Sequence, residues 1–276
     1  MPARQYRSVL EYQYRRFNRR RFVHPDPLEC VRAYDDPADQ EIAALVASGL
    51  AYGRVRQILR SVRRVLEPMG TSPARFLRDA PPRRLAATFA GFRHRFTTDE
   101  ELTAMLVAAR RAIRRHGSLA ACLRAGRGRR DETIVPALRA FVGELGGCDR
   151  RTSLLPDPAR GSACKRLHLM LRWMVRRDRV DPGPWRGVPA RLLVVPLDTH
   201  MLKIARALRL TRRRTADLPT ALEVTRAFGR VRPDDPARYD FCLTRLGIHP
   251  EARPCEFLVR LAASARPPRA IPRGGY

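Results

Sequence analysis

Lysine is almost absent from this chain. Of its 55 basic residues, only Lys165 and Lys203 are lysine and the remaining 53 are arginine. A biased codon pool favours arginine, and two lysines can be its remnants. Arginine, however, keeps its proton at any ordinary pH, whereas a lysine amine can lose its proton and attack an electrophilic carbon. A lysine retained among so many arginines indicates a position that needs an amine.

Closely spaced cysteines and long apolar runs are also missing. The six cysteines contain no CxxC pair and no tight group of four, which excludes zinc and iron–sulfur sites of that kind. No apolar stretch is long enough for a membrane span, and the first residues lead into more arginine, so we expect no signal peptide. We therefore expect a cytoplasmic, nucleoid-associated protein with reduced thiols, no metal, no cofactor and no obligatory protein partner.

Acidic residues are too few to balance the arginines. Against 55 basic residues stand 27 acidic ones, a formal net charge of +28, and replacing lysine by arginine does not explain this excess. The natural partner is a polyanion. Nucleic acid is favoured because phosphate neutralisation releases counterions and the planar guanidinium suits phosphate. An anionic membrane surface is the alternative, but no basic amphipathic helix with large exposed aromatics is evident.

Alternating strand patterns are nearly absent, and helical spacing recurs along the chain. Apolar stripes at this spacing begin near residues 42, 55, 102, 134, 167, 201, 221 and 239. The only strand-like run, at residues 192–195, is interpreted as a buried segment that leads into a helix. The sequence thus predicts an all-α fold, with a disordered tail over residues 263–276.

Two residues at predicted helix starts carry the chemistry. Lys165 follows Gly161 where an apolar helical pattern begins, and the helix dipole and neighbouring Arg166 disfavour an additional ammonium there. Asp198 follows Pro196 and precedes another helix, a position where a carboxylate caps the first turn and stays ionised. An amine with a nearby carboxylate is suited to nucleophilic attack on a sugar.

Segment 197–208, LDTHMLKIARAL, resembles the VDTHVxRxxxRL segment of the helix-hairpin-helix DNA glycosylase superfamily. The aspartate of that segment is catalytic in the superfamily, and bifunctional members carry a lysine upstream, on the second helix of the hairpin. The spacing of 33 residues between Lys165 and Asp198 resembles the archaeal 8-oxoguanine DNA glycosylase branch. Residues 18–248 also resemble a bacterial family described only as a domain of unknown function.

The superfamily resemblance implies two helical lobes with a cleft between them. A central lobe, residues 40–190, would hold the hairpin and Lys165, and residues 1–39 with 191–262 would form the second lobe, which carries Asp198. A damaged base would be flipped out of double-stranded DNA into the cleft. The amine of Lys165 would displace the base and form a Schiff base, β-elimination would nick the strand, and Asp198 would stabilise positive charge on the sugar.

The hairpin of this chain departs from the superfamily pattern. Members usually carry LPGVG there, and this chain reads LPDPARGS at residues 155–162, with a single glycine. The residues expected to contact DNA belong to this hairpin, to two further cationic positions and to a helix junction. At the junction, either Tyr52 or Gln57 would fill the gap left by the flipped base; the alternative is that the junction is only structural. They are Tyr52, Arg54, Gln57, Arg160, Gly161, Ser162, Arg166 and Lys203.

Four residues are candidates for the base pocket. His168 lies one turn after Lys165, and Trp173 follows, whereas Leu169 stands where the archaeal branch would have an aromatic clamp. His200 would contact the site or DNA, or be a buried, hydrogen-bonded imidazole. Asp240 would recognise the N1–H and amino group of guanine, or serve as a helix cap or salt-bridge partner.

Two functions from different classes follow. The first is a DNA repair glycosylase with lyase activity that excises an oxidised purine such as 8-oxoguanine. The second is a non-catalytic DNA- or RNA-binding protein on a glycosylase-like scaffold. A nuclease with metal-bound carboxylates is disfavoured because the acidic residues near Asp198 lack metal-ligand spacing.

Overall fold

The computed structural model describes residues 6–146 and 153–248, and their regular structure is almost entirely helical. This confirms the all-α prediction. The α-helices of these residues are α1 (Arg7–Phe17), α2 (Leu28–Val31), α3 (Pro37–Gly49), α4 (Val55–Leu66), α5 (Pro73–Asp79), α6 (Pro82–Phe89), α7 (Asp99–His116), α8 (Leu119–Ala125), α9 (Val135–Glu144), α10 (Lys165–Val175), α11 (Thr199–Ala207), α12 (Leu218–Gly229) and α13 (Asp240–Ile248).

Short 3₁₀ turns connect several of these helices. They cover Arg20–Phe22, Glu67–Met69, Pro158–Arg160 and Ala190–Leu192. The strand-like run at residues 192–195 forms no sheet strand. It is buried, and its backbone is satisfied by the amide of Ile134, which donates to Leu192 O at 2.8 Å, and by Thr225 Oγ1, which accepts from Val195 N at 3.0 Å. The interpretation as a buried segment before a helix is confirmed.

Side-chain caps explain where many helices begin. Asp36, Ser72, Ser118 and Asp217 each accept a backbone N–H in the first turn of the helix that follows. Thr98 goes further, because its hydroxyl accepts from Glu101 N while the Glu101 carboxylate accepts from Thr98 N, a capping box that starts α7. The helices that follow these caps contribute buried apolar residues to a common core.

A small hairpin, which the sequence pattern did not predict, interrupts the helices. Strand β1 (Arg93–His94) pairs antiparallel with β2 (Thr97–Thr98). Strands of two residues are too short to show alternation, so tertiary contacts hold this hairpin. The His94 ring lies 2.8 Å from Ser61 Oγ and 3.1 Å from Tyr52 O, and the Tyr52 hydroxyl donates to His94 O at 2.8 Å.

The first and last helices of the described chain pack together. The Tyr239 hydroxyl donates to Glu11 Oε1 at 2.7 Å, and the rings of Tyr14 and Tyr239 meet edge to face with centroids 6.4 Å apart. Elsewhere, α3 packs along α10. The proposed division into lobes at residues 40–190 and at 1–39 with 191–262 stays a prediction. Residues 249–262 and the tail at 263–276 lie outside the described residues.

None of the described helices has both the length and the apolar character that crossing a bilayer requires. The cysteines of the described segments, Cys30, Cys122, Cys164 and Cys242, are free and buried. Cys148 and Cys255 lie outside the described residues. Burial raises the pKa of the Cys164 thiol to about 11, so this neighbour of Lys165 is a neutral thiol.

Candidate functional site

Lys165 and Asp198 meet across a gap between two helix starts. The Lys165 Nζ lies 3.2 Å from Asp198 Oδ2, and about a third of each side chain is exposed, 34% and 35%. Lys165 is the first residue of α10, and Asp198 is the N-cap of α11, where its Oδ1 accepts from Met201 N at 2.8 Å. The structure therefore brings together the two residues that the sequence singled out.

Backbone geometry fixes the approach of Lys165. Gly161 has φ 76°, a left-handed conformation that glycine adopts without strain, and Cys164 has φ 45° immediately before the helix. Leu218 N donates to Gly161 O at 2.9 Å, and Ser162 forms an isolated antiparallel bridge with Asp217. The loop before α10 is thus joined by its main chain to the loop before α12.

Charge and hydrogen bonding keep Asp198 ionised. Partial burial by itself raises the pKa of Asp198, but the positive charge of Lys165 and the N–H of Met201 outweigh it, so the pKa is lowered from its ordinary value. The carboxylate is thus anionic at neutral pH. It is available to balance positive charge that develops beside it.

The pair opens into a pocket of about 640 Å³. This volume lies within the range of small-molecule sites. The pocket also contains two predicted residues, His200 and Asp240. Its polar and apolar walls include His24, Pro25, Asp26, Gly53, Val55, Lys165, Leu169, Arg172, Asp198, His200, Asp240, Phe241, Thr244 and Arg245.

Asp240 lies in the pocket wall but already has a partner. Its carboxylate accepts from Arg172, whose Nε also donates to Asp181 Oδ1 at 3.2 Å. The side chains of Arg172 and Asp181 are 3% and 0% exposed. The salt-bridge role that the sequence left open for Asp240 is therefore present. A role in guanine recognition stays a prediction.

Arg172 belongs to a buried ion network that the sequence analysis missed. Arg176 pairs with Asp181, with Asp178 at 2.9 Å and with Asp235 at 2.9 Å. Such pairs suit arginine because its planar fork serves several oxygens at once. Asp178 and Asp181 are near these arginines in sequence. Asp235 and Asp240, however, lie 59 and 68 residues from their arginine partners, so no local pattern could reveal the whole network.

A second ion pair supports another part of the pocket wall. Arg245 on α13 binds the Asp26 carboxylate and the Phe22 carbonyl, at 3.3 Å for the latter. Its guanidinium also lies 4.5 Å from the centroid of the Phe241 ring. This pairing ties residues 22–26, near the chain start, to the helix that carries Asp240.

His200 lines the pocket, half-buried, and its Nε2 has no hydrogen-bond partner within the described part of the chain. The expectation of a buried, hydrogen-bonded imidazole is therefore not met at this atom. Its position two residues after Asp198 places it in the first turn of α11, beside the carboxylate.

The structure corrects the placement of His168 and Trp173. Both are completely buried and neither lines the pocket, because their positions on α10 face the protein core. Burial lowers the pKa of His168 to about 4, so its imidazole is neutral. Among the described residues, neither nitrogen of that ring has a hydrogen-bond partner.

Arg166 and Tyr52 are also engaged inside the protein rather than free to contact DNA. The Arg166 guanidinium donates to the carbonyls of Gly49 and Ser153 and lies 4.9 Å from the centroid of the Tyr52 ring. The Tyr52 hydroxyl is held by His94 O and lies 2.7 Å from Thr97 Oγ1. Insertion of Tyr52 into a base stack would break this network.

The other predicted DNA contacts lie on the surface. Arg54, Gln57, Arg160, Gly161, Ser162 and Lys203 are exposed. The Gly161 amide, however, donates to Pro158 O at 3.2 Å inside the 3₁₀ turn, which competes with a phosphate contact from this atom. The Gly161 amide is therefore already engaged by the main chain.

A cationic groove adjoins the pocket along α4. It has a volume of about 730 Å³, and His24, Pro25 and Val55 line both cavities. Arg56, Arg60, Arg63 and Arg64 line the groove from the exposed side of the helix. The apolar stripe of α4 was predicted from the sequence, but the arginines at intervals of three and four residues between its apolar residues were not interpreted as a surface feature.

The chain belongs to a family described as "Protein of unknown function (DUF2400)", whose model matches residues 26–249. No curated protein and no solved structure matches it significantly. The family match includes Lys165, Asp198 and the pocket, and its description gives no activity.

Proposed function

We propose that this protein is a lyase-competent DNA glycosylase that removes an oxidised purine such as 8-oxoguanine. The observation that carries the proposal is the contact of 3.2 Å between Lys165 Nζ and Asp198 Oδ2 at the wall of a pocket. An amine, a carboxylate and an adjoining cationic groove are the groups that this reaction requires.

Lys165 supplies the nucleophile. After its ammonium releases a proton, the amine attacks C1′ of the sugar, and the bond from C1′ to the damaged base breaks with the base as leaving group. Ring opening gives a Schiff base between Nζ and C1′. Loss of a proton from C2′ then expels the 3′ phosphate, which nicks the strand. The exposed third of the Lys165 side chain leaves room for this approach.

Asp198 stabilises the positive charge that develops on the sugar as the base departs. Two features support this role. The carboxylate is anionic because its pKa is lowered, and the hydrogen bond from Met201 N fixes one oxygen while the other faces Lys165.

The flipped base would occupy the pocket beside Asp240 and Phe241. A pocket of about 640 Å³ has room for a nucleobase with its sugar, and its wall offers apolar surface from Leu169 and Phe241 and a carboxylate from Asp240. A carboxylate is suited to accept the N1–H and amino group of guanine. The second carboxylate oxygen of Asp240 would serve this contact while Arg172 holds the first.

The arginines of the α4 groove would bind the duplex on one side of the flipped nucleotide. Successive guanidinium groups one helical turn apart, about 5.4 Å, suit a row of backbone phosphates. Arg56 and Arg60 have no carboxylate partner among the described residues, so their charge is available to DNA.

Borohydride trapping tests the proposal. The protein is incubated with duplexes that contain 8-oxoguanine, other lesions or an abasic site, and borohydride is added to reduce a Schiff base to a stable bond. We expect a covalent complex with the native protein and none with Lys165→Arg, which keeps the charge but lacks a nucleophile. Lys203→Arg is the matched control, and it should be trapped like the native protein.

Two results would overturn the lysine mechanism. One is the absence of a trapped complex with every lesion, and the other is a complex that persists in Lys165→Arg. Tight duplex binding without trapping would favour the non-catalytic nucleic-acid-binding alternative, which the net charge of +28 also supports.

A further inference from the structure

Phe96 is the most exposed large apolar side chain of the described residues. It is 75% exposed, and the other exposed one, Tyr12, is 38% exposed. Phe96 lies at the tip of the hairpin formed by β1 and β2, beside Arg95. Removal of this ring from water on binding a partner would be favourable.

The hairpin is rigidly held from below. His94 and Thr97, which flank the tip, are buried and bonded to Tyr52 and Ser61, and Thr97 Oγ1 lies 2.7 Å from Ser153 Oγ. Arg95 has φ 54°, a left-handed conformation that a residue other than glycine rarely adopts. Phe96 is thus presented on a fixed support, since the residues on both sides of the tip are anchored.

The hairpin tip lies beside Gly53 of the pocket wall. The Arg95 guanidinium is 5.5 Å from the centroid of the Phe96 ring and 5.9 Å from that of Tyr52. A Cβ added at Gly53, which lines the pocket, would come within 2.9 Å of the Arg95 side chain. The Arg95 side chain therefore lies close both to the exposed ring and to a residue of the pocket wall.

Charge around the ring identifies the kind of partner. Arg93 on β1 and Arg95 in the turn are both exposed, and no carboxylate pairs with either among the described residues. An apolar protein surface would leave these cations desolvated, whereas duplex DNA offers phosphates for them and stacked bases for the ring.

We propose that Phe96 enters the base stack of duplex DNA and fills the space that a nucleotide leaves when it moves into the pocket, while Arg95 contacts the adjacent phosphate. This inference rests on the proposed function, because it assigns the stacking role in the same site. Tyr52 supports the hairpin from below, and Gln57 lies on the α4 surface instead of the hairpin tip.

Fluorescence of 2-aminopurine tests the insertion. The probe base is placed next to a non-cleavable abasic analogue in a duplex, and the full-length protein is titrated. The native protein should unstack the probe and raise its fluorescence. Phe96→Ala should lose most of this rise and weaken binding by about five-fold or more, the amount expected for one lost aromatic stacking contact. Phe96→Trp should retain both.

Controls separate insertion from general damage. Phe96→Ala should keep the native circular dichroism spectrum, because the ring is exposed, and Tyr12→Ala should bind the duplex like the native protein. With the same strand left single, native protein and Phe96→Ala should differ by about two-fold at most, because no duplex must be opened. Equal fluorescence and affinity of native protein and Phe96→Ala on the duplex would overturn the inference.

The two proposals can fail independently. If Phe96→Ala loses unstacking while no protein is trapped by borohydride, insertion stands and the lyase mechanism fails. If trapping succeeds and Phe96→Ala behaves like the native protein in unstacking, the mechanism stands and the role of Phe96 is rejected.

Discussion

Helix α10 carries two ion pairs of opposite character. At its first residue, Lys165 faces the single carboxylate of Asp198, and about a third of each side chain is exposed. Two turns later, Arg172 is buried between Asp181 and Asp240, with 3% of its side chain exposed. The first pair is open to solvent, whereas the second is almost completely buried and only borders the pocket.

The difference shows what each cation is used for. A buried charge must be compensated completely, and arginine does so because its fork binds two carboxylates at once. An amine that is to react must instead keep few partners and remain reachable. The scarcity of lysine in the chain is consistent with this contrast, since arginine serves every buried pair that the described residues contain.

The largest expected effect comes from giving the exposed pair with Asp198 an arginine, the cation that the buried pairs use. Lys165→Arg retains a cation beside Asp198 but removes the nucleophile, so we expect the rate of covalent complex formation to fall about a thousandfold or more. Single-turnover kinetics with borohydride trapping measure this rate. Duplex affinity should change little, and a large loss of affinity would indicate that Lys165 acts mainly in binding.

Removing the cation from each pair compares their structural importance. Arg172→Met leaves two buried carboxylates undercompensated, and we expect the free energy of unfolding to fall by about 3–5 kcal/mol. Lys165→Met, on the same helix, should lower it by about 1 kcal/mol or less because the pair is exposed to solvent. Urea unfolding of both variants gives the two values. Equal losses would erase the distinction between the pairs.

His168 lies between the two pairs on α10 and supplies a pH test. In the unfolded chain its pKa is near 6.5, whereas burial lowers it to about 4 in the folded protein. The unfolded state thus binds more protons between these values, and stability falls as the pH drops through them. His168→Leu should remove this contribution, so that the free energy of unfolding falls by about 3 kcal/mol less as the pH drops through this range.

Urea unfolding at a series of pH values between 7 and 4 measures this contribution. The native protein and His168→Leu should diverge only on the acidic side of about 6.5, with the variant the more stable. Parallel pH profiles for the two proteins would show that the His168 imidazole is protonated over the same pH range in the folded and the unfolded protein.

The smallest effect distinguishes the two tasks of Asp198. Asn is also a good N-cap, so Asp198→Asn should preserve the start of α11, whereas Asp198→Ala should lower the free energy of unfolding by about 1 kcal/mol. Both variants lack the charge beside Lys165 and should slow the covalent step equally. A normal rate in Asp198→Asn would assign this residue to capping alone.

The features that could be predicted from the sequence are those that depend on the local spacing of residues. Helices α3, α4, α7 and α9 to α13 follow from apolar spacing, and the helix starts at Lys165 and Asp198 follow from turn and capping residues. The pairing of the two was expected only through the superfamily resemblance. The short helices α5, α6 and α8 were not predicted because seven or eight residues form too few turns to show a clear apolar stripe.

Features that depend on long-range contacts were missed. Asp235 and Asp240 pair with Arg176 and Arg172 across 59 and 68 residues of sequence. The hairpin with Phe96 is likewise fixed by Tyr52 and Ser153. The assignment of His168 to the pocket failed for a related reason. Its place one turn after Lys165 was right, but a small rotation of the helix decides whether such a residue faces the pocket or the core.

The main-chain link between Gly161 and Leu218 bears on how nucleotides would be selected. It joins the loop that precedes α10 to the start of α12. Val195, three residues before Asp198, also donates to Thr225 Oγ1 on α12, so one helix is bonded to both the amine's loop and the carboxylate's segment before anything binds. A substrate need not draw them together by induced fit. Discrimination would then be kinetic and would act earlier, when a damaged base leaves its stack more readily than an intact one.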